Sequence, residues 1–246
     1  MARLYVSAHQ DDDLIFMSPC LMEDIASGVG VWMVYVTAGD AGLGEVYWRG
    51  REEGERAAYS AMGAPMWKME TLPLAGGDVT SSVSSDGRVR LVFLRLPDGG
   101  RLNKDEAPSR ALERMWGGEE VESIDGSTRY TREGLITALT DIIRLAGANS
   151  VSTHDPDGWV AGCDHIDHFY TGLFAREAAR RADVPQMLFR GYSCDLSQPN
   201  LPDVTYHRKR AVFEAYARHD QMIQSPLDAL YEGWLKRSIN RLVPPA

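Results

Sequence analysis

The sequence predicts an α/β fold in which a mostly parallel sheet is covered by helices on both faces. Three segments indicate it: an apolar, strand-like run at 4–8, a helical pattern at 20–26 and a second apolar run at 31–37. Strands that alternate with helices are typical of parallel sheets with crossover helices. Ligands bind beyond the carboxyl ends of such strands. The loops that follow the two apolar runs are therefore expected to form the functional site.

The first helix is predicted to begin at Ser18 and Pro19, which suit an N-cap and a first turn, and to end at the glycine pair 28 and 30. The run at 31–37 suits a strand buried on both faces. A glycine-rich loop at 38–47 follows it. A charged, alanine-bearing helix is then predicted at 49–62.

The segment 72–130 is the least regular part of the sequence. It contains two glycine pairs, a serine run and one strongly strand-like stretch at 89–96, which the hairpin turn Asp86-Gly87 precedes. We expect an inserted irregular or antiparallel region with a helix near 110–115. Such an insertion would be either a lid that shapes the substrate site or a surface decoration.

Regular patterns return at Thr131, which is expected to cap a helix that reaches residue 145. Strand-like and helical segments then follow at 150–153, 164–181, 187–192, 206–219 and 226–238. The sequence contains neither an internal repeat nor a linker between domains. Residues 1–246 are therefore expected to form a single domain.

Composition limits the classes of protein to which the chain can belong. Its 246 residues are 44% apolar and 25% charged, which favours a folded globular protein. The net charge of −9 argues against nucleic acid as a partner. The chain has no signal-peptide pattern and no apolar stretch near the roughly 18 residues that span a bilayer. We therefore expect a cytoplasmic protein without a membrane span, while its oligomeric state is not indicated.

Two clusters of metal-ligating residue types follow predicted strands. Residues 8–12 read Ala-His-Gln-Asp-Asp, and residues 165–168 read His-Ile-Asp-His at the start of a helix. Imidazole and carboxylate groups suit Zn²⁺, which in catalytic sites typically has three protein ligands. Each cluster alone is more typical of a capped turn or an exposed helix face. Together, at carboxyl ends of strands, they indicate a metal site much more strongly.

These clusters resemble motifs of the PIG-L (LmbE-like) family of zinc-dependent N-acetylglucosaminyl deacetylases. Thr-Ala-Gly-Asp-Ala-Gly at 37–42 and Thr-His-Asp-Pro at 153–156 complete the motifs in the family's order. The resemblance implies a three-layer Rossmann-like fold. It also implies removal of an N-acyl group, expected to be N-acetyl, from a small molecule or glycoconjugate that contains an amino sugar.

The resemblance also implies roles for individual residues. The zinc ligands would be His9, Asp12 and His168. Asp11 corresponds to the general base, and His165 to the imidazole that assists the tetrahedral intermediate and the leaving amine. Asp167 is expected to orient or charge His165. Arg51 matches a frequent arginine of the family and is a weaker candidate for contact with the substrate. Independently of the resemblance, Asp40 in the glycine-rich loop is a weak candidate for bonds to sugar hydroxyls, with stabilisation of the turn as the alternative.

Elementary chemistry agrees with these roles. Zinc polarises an amide carbonyl and can bring bound water to a pKa of about 7. Asp11, beside the ligand Asp12, cannot easily reach the same ion and is free to take a proton from water. A protonated His165 can stabilise an oxyanion and donate to the departing amine. Fe²⁺, Co²⁺ and Mn²⁺ also suit such ligands.

Three positions depart from the family pattern and leave alternatives open. Gln10 replaces the usual proline, Asp13 replaces a glutamate, and Gly54 stands where a glutamate is common. The shortened Asp13 opens the alternative of a catalytically weak, glycan-binding relative. A different metal-dependent hydrolase on the same site, such as an esterase or a phosphoesterase, is a second alternative. Dinucleotide binding would need a Gly-x-Gly-x-x-Gly motif after the first strand, which the sequence lacks.

Overall fold

A computed structural model describes residues 2–100 and 109–245, which form an α/β fold around an eight-stranded sheet. The strands are β1 (Ala2–Ser7), β2 (Gly30–Thr37), β3 (Trp67–Leu74), β4 (Gly77–Ser84), β5 (Val89–Leu96), β6 (Val121–Glu122), β7 (Arg129–Tyr130), β8 (Ala148–His154), β9 (Gln186–Phe189) and β10 (Asn240–Val243). Their order across the main sheet is β10-β9-β8-β1-β2-β5-β4-β3, and β6 pairs with β7 separately. The five strands from β9 to β5 run parallel, and the antiparallel pairs lie at the two edges.

Helices cover both faces of the sheet, which confirms the predicted three layers. The helices are α1 (Cys20–Ser27), α2 (Glu45–Ala61), α3 (Ala111–Trp116), α4 (Arg132–Leu145), α5 (Ile166–Ala182), α6 (Asp203–Ala217) and α7 (Ala229–Leu235). Neighbouring residues of a strand point to opposite faces. Leu4 and Val6 of β1 therefore pack in the core with α3, α4 and α5, whereas Tyr5 packs in the core with α1, α2, α6 and α7. Within the described ranges, no helix has the length and apolar character that crossing a bilayer requires.

The strand order reverses at β1, and this reversal determines where the site lies. Val6 of β1 pairs with Val34 of β2 on one side and with Thr153 of β8 on the other, parallel in both cases. The chain leaves β1 towards β2 and returns much later to β8. The loop after β1 therefore adjoins the end of β8. In open α/β sheets this topological switch point forms the crevice in which ligands bind.

Part of the segment expected to be an insertion belongs to the main sheet. The strand-like stretch is β5, which pairs parallel with β2, and the turn at Asp86-Gly87 joins it to antiparallel β4. The hairpin partner β3 has only exposed and half-buried residues and lies at the edge of the sheet. The predicted helix near 110–115 is α3. Residues 101–108 of this segment lie outside the described residues.

Gly54 lies where α2 packs against α6, which explains one departure from the family pattern. A Cβ atom on Gly54 would lie 2.7 Å from Cδ2 and 3.0 Å from the carbonyl oxygen of Tyr216. The space that a side chain would need at this position is thus filled by Tyr216. The hydroxyl of Tyr216 reaches the Arg51 Nε at 2.6 Å. Because Gly54 has no side chain, α6 can pack close enough to α2 for Tyr216 to contact Arg51.

We expect Gly54→Ala to lower the free energy of unfolding by about 1–3 kcal/mol, because overpacking at this contact outweighs the better helix propensity of alanine. Gly134→Ala in α4 is the matched control. A Cβ there would make only ordinary contacts, the nearest at 3.4 Å from the Thr131 Oγ1, so it should be neutral or stabilising. Urea unfolding followed by circular dichroism measures both. Equal stability of the two variants would contradict the packing argument.

Candidate metal and catalytic site

The two predicted clusters meet at the switch point of the sheet. The first cluster follows β1, and its Asp13 begins a buried π-helical turn, Asp13–Met17. The second cluster begins α5, whose N-cap is His165. Because α5 packs against β8 and β1, its first turn faces the loop that follows β1. Residues some 150 positions apart in the sequence thereby share one pocket.

His9, Asp12 and His168 form a compact donor set. One oxygen of Asp12 lies 3.2 Å from the His9 Nδ1, and the other lies 3.0 Å from the His168 Nε2. The three residues are buried, and one ligand atom from each lies within 4.8 Å of those of the other two. Burial raises the pKa of Asp12, but His168 and His9 outweigh burial and hold that pKa well below its usual range. A carboxylate between two imidazoles suits a divalent cation.

A further carboxylate holds each of these imidazoles on its other ring nitrogen. The Asp164 Oδ1 lies 2.7 Å from the His168 Nδ1, and the Asp167 Oδ2 lies 3.3 Å from the His9 Nε2. Such outer partners fix the tautomer and the orientation of histidine ligands in metal sites. The nitrogens left for a cation are then the His9 Nδ1 and the His168 Nε2, which are the two that face Asp12. The donor set therefore fits a bound divalent metal ion.

His154, at the end of β8, stacks on His168 with ring centroids 4.1 Å apart and an interplanar angle of 7°. Its Nε2 accepts the backbone N–H of Ala8 at 3.2 Å, which ties β8 to the loop after β1. Burial, helped by the charge of His168, lowers the pKa of His154 to about 4. A neutral ring can stack on His168 without charge repulsion. The sequence drew attention to this residue only as part of a family motif.

Asp11, the predicted base, faces a buried arginine. Its backbone lies in the left-handed region with φ 94°, and its Oδ1 lies 3.0 Å from the Arg51 Nη2. Burial raises the pKa of Asp11, although Arg51 opposes that effect. Arg51 also donates to the carbonyl oxygens of Gln10 and Gly39 and pairs with Asp220 at 3.1 Å. Arg51 thus connects the loops after β1 and β2 with the segment that follows α6.

His165 has its tautomer set by the helix that it caps. Its Nδ1 accepts the backbone N–H of Asp167 at 3.2 Å, so a neutral ring carries its proton on Nε2. That Nε2 lies 3.6 Å from the Asp98 Oδ1. Burial lowers the pKa of His165, and the nearby His9 adds to this effect. His165 is thus oriented with an N–H that faces a carboxylate.

Asp98 belongs to the same pocket and was missed by sequence reasoning, although Pro97-Asp98-Gly99-Gly100 follows a strand as the other motifs do. His9, Asp98, His165 and Asp167 form a second group of adjacent possible ligands. The Asp167 Oδ2 accepts the Gly99 N–H at 2.7 Å and lies nearer to the His9 Nε2 than to the His165 Nδ1, 3.3 Å against 3.7 Å. The expected action of Asp167 on His165 stays a prediction, and the geometry adds contact with His9.

Asp40, a weak candidate for substrate contact, is engaged within the protein. Its Oδ1 accepts the backbone N–H of Asp98 at 2.9 Å, and its Oδ2 accepts that of Gly42 at 3.1 Å. Asp40 therefore fastens the loop after β2 to the loop after β5. Arg51 is similarly engaged with protein groups. Substrate contacts by these two residues stay predictions.

Comparison with known proteins gives a family and a fold. The family model described as PIG-L, GlcNAc-PI de-N-acetylase, matches residues 4–179. No match was found among curated proteins.

Solved structures agree on the fold. An N,N'-diacetylchitobiose deacetylase from Pyrococcus horikoshii is 17% identical, with a TM-score of 0.57, over 99% of this chain and 84% of that one. A deacetylase triple mutant from the teicoplanin biosynthetic pathway is 15% identical, with a TM-score of 0.56, over 95% and 89%. GalB, a 4-carboxy-2-hydroxymuconate hydratase from Pseudomonas putida, is 16% identical, with a TM-score of 0.51, over 95% and 83%. At such identities the likeness concerns the fold alone.

We expect Asp164→Ala to weaken zinc binding by about 10- to 100-fold, because His168 loses the carboxylate that orients its ring. Competition with a fluorescent zinc chelator measures the affinity. Asp157→Ala is the control, since its carboxylate pairs with Arg176 and Arg241 near the surface instead. Equal zinc affinities in the two variants would contradict the orienting role of Asp164.

Proposed function

We propose a function for this chain, which belongs to the PIG-L family. It is a zinc-dependent hydrolase, and it removes an N-acetyl group from a small molecule containing an amino sugar. One observation carries the proposal. His9, Asp12 and His168 leave two imidazole nitrogens and a carboxylate facing one another, and Asp11, which is not in this donor set, precedes Asp12 in the chain. A ligand set with a neighbouring carboxylate that does not bind the metal is what metal-assisted amide hydrolysis requires.

Zinc is the proposed ion because two imidazoles and one carboxylate are ligand types of catalytic zinc sites. The metal would be held by the His9 Nδ1, the Asp12 carboxylate and the His168 Nε2. When bound, zinc would polarise the amide carbonyl and make water acidic near neutral pH. The outer carboxylates Asp164 and Asp167 support this assignment, because each can accept the N–H of one imidazole and leave its other ring nitrogen to the ion.

Asp11 is the proposed general base. Its carboxylate is buried, and burial raises its pKa, which makes the ionised form a stronger proton acceptor. The 3.0 Å contact with Arg51 restrains the carboxylate and limits the rise of its pKa. Asp11 would accept a proton as the oxygen of water adds to the amide carbon.

His165 is the proposed general acid. Its Nε2–H is directed away from its own helix and towards the Asp98 carboxylate, 3.6 Å away. Asp98 would stabilise the ring when it is positively charged. To act as the acid, the ring would take a second proton on Nδ1 in place of the bond from the Asp167 N–H. Its Nε2 would then donate a proton to the amine nitrogen as the carbon–nitrogen bond breaks, which gives acetate and a free amino sugar.

The substrate class is proposed from the family description and from one of the similar structures. The family description names a GlcNAc-PI de-N-acetylase, and one similar structure is a deacetylase of N,N'-diacetylchitobiose. Both names contain an N-acetylated amino sugar. They support an N-acetylated amino sugar as the substrate, on a carrier that these comparisons do not specify.

The alternative of a weak glycan-binding relative depended on Asp13. The Asp13 Oδ2 accepts the Tyr59 hydroxyl at 2.7 Å and lies 3.1 Å from the Tyr35 hydroxyl. The shorter side chain therefore has partners of its own on β2 and α2. This change from glutamate is compensated locally and gives no support to a loss of activity.

We expect Asp11→Asn to lower kcat for amine release by roughly 100- to 10,000-fold, because the base is lost while the ligands remain. Zinc per chain, measured by elemental analysis, should stay at the wild-type level. Asp141→Asn, on the exposed side of α4, is the control and should keep full activity. Full activity of Asp11→Asn would remove Asp11 from the mechanism.

We expect wild-type protein to release primary amine from members of a panel of N-acetylated amino sugars, and a chelator to abolish that release. Zinc, Fe²⁺, Co²⁺ and Mn²⁺ added back in turn would identify the best ion. His168→Ala should lose zinc, since Asp12 and His9 alone leave the site short of a ligand. Activity insensitive to chelator would refute metal dependence, and inactivity on the whole panel would favour the glycan-binding alternative.

A further inference from the structure

Asp11 has a backbone conformation that needs support. Its φ of 94° lies where residues with a side chain are rarely found, and it precedes the proposed ligand Asp12. Strained backbone of this kind persists only where the surrounding structure holds it, and it is concentrated at functional sites. The group that holds Asp11 is therefore of functional interest.

Glu55 on α2 provides such support. Its Oε1 accepts the backbone N–H of Asp11 at 2.8 Å, and both residues are buried. A buried backbone N–H without a partner is costly, so this bond favours the conformation that directs the N–H to α2. Glu55 has no contact with His9, Asp12 or His168 among those found in the described residues. Its link to the site is the backbone of Asp11.

Glu55 is in turn bonded to Tyr35, and Tyr35 and Tyr59 both contact Asp13. The Tyr35 hydroxyl lies 2.6 Å from the Glu55 Oε2 and 3.1 Å from the Asp13 Oδ2, and the Tyr59 hydroxyl lies 2.7 Å from the same Asp13 oxygen. The four side chains are buried. Two hydroxyl groups thus link two buried carboxyl groups. The set is thus a hydrogen-bonded support that Glu55 joins to Asp11.

We infer that Glu55 is a positioning residue, which keeps Asp11 in its left-handed conformation and so directs the proposed base at its water molecule. This inference rests on the proposed hydrolase function. It assigns to Glu55, which the resemblance did not single out, a part in placing the base. A loss of position at Asp11 should slow the chemical step while substrate binding and metal binding persist.

The test compares Glu55→Met with Glu55→Gln. Methionine fills similar space but accepts no hydrogen bond from Asp11, so kcat should fall by roughly 10- to 100-fold. KM should stay within about threefold of wild type and zinc per chain should be unchanged. Glutamine keeps an acceptor for the Asp11 N–H and can donate to Tyr35, so it should keep kcat within about threefold.

Glu52→Met is the matched control, because it also removes a buried carboxylate from α2. Glu52 pairs with Arg95 at 2.7 Å instead of contacting Asp11. This variant should lose stability but keep kcat. The inference would be overturned if Glu55→Met kept wild-type kcat or lost zinc. It would also be overturned if kcat fell equally in Glu55→Gln. If Glu55→Met fails to fold, Glu55→Ala replaces it, because it also removes the acceptor of the Asp11 N–H, and an unchanged kcat there has the same meaning.

A crystal structure of the folded variant provides a readout that does not depend on turnover. Asp11 should leave the left-handed region or become disordered in Glu55→Met or, in its place, Glu55→Ala. Retention of the wild-type φ at Asp11 would overturn the inference even if no substrate were known. Inactivity of the wild-type protein on every N-acetylated sugar would instead count against the proposed function alone.

Discussion

The crowding of buried carboxylates at the ends of the central strands is the constraint on which the site depends. Asp11, Asp12 and Asp13 are consecutive and buried, and each would repel its neighbours unless it had a partner of its own. They therefore turn in three directions, towards Arg51, towards two imidazoles and towards two tyrosines. The left-handed backbone at Asp11 separates the first direction from the second. Three similar side chains thereby acquire three different environments.

The same constraint extends to the outer parts of the site. Asp164 and Asp167 each bond to an imidazole on the side away from Asp12, so the histidines lie between carboxylates. Burial alone would lower the pKa of His168, but Asp12 and Asp164 raise it to about 9. The cluster thus favours positive charge at its centre. A divalent cation would satisfy that preference more completely than protons do.

The sequence predicted the layers and the family because those depend on local patterns. Apolar runs with helical segments between them were enough to predict the parallel core, and the motif order was enough for the resemblance. The edge strand β10 was missed, because its four residues are exposed or half-buried and show no apolar pattern. The ligands and catalytic residues came from the resemblance, and the fold brings all of them into one pocket. Their roles stay predictions.

Other members of the site could not be predicted, since their contacts are set by tertiary packing. Glu55 resembles any acidic residue of an exposed helix until α2 is placed beneath the loop after β1. Asp220 follows α6 in an unremarkable polar stretch and meets Arg51 only because Gly54 lets α6 approach. Asp98 had a usable signal, a Pro-Asp-Gly-Gly turn directly after a strand. A search for acids after every strand, and not only those in motifs, would have found it.

The approach of α6 has a consequence for how the protein can be shortened and how it has evolved. The segment matched by the family model ends at residue 179, whereas Tyr216 and Asp220 lie beyond it. A fragment trimmed to that segment would retain every proposed metal ligand but would lack Tyr216 and Asp220, which are two neighbours of Arg51. The positive charge of Arg51 would then act more strongly on Asp11. Substitutions at positions 216 and 220 are therefore expected to accompany substitutions at position 51 among relatives that share this glycine on α2.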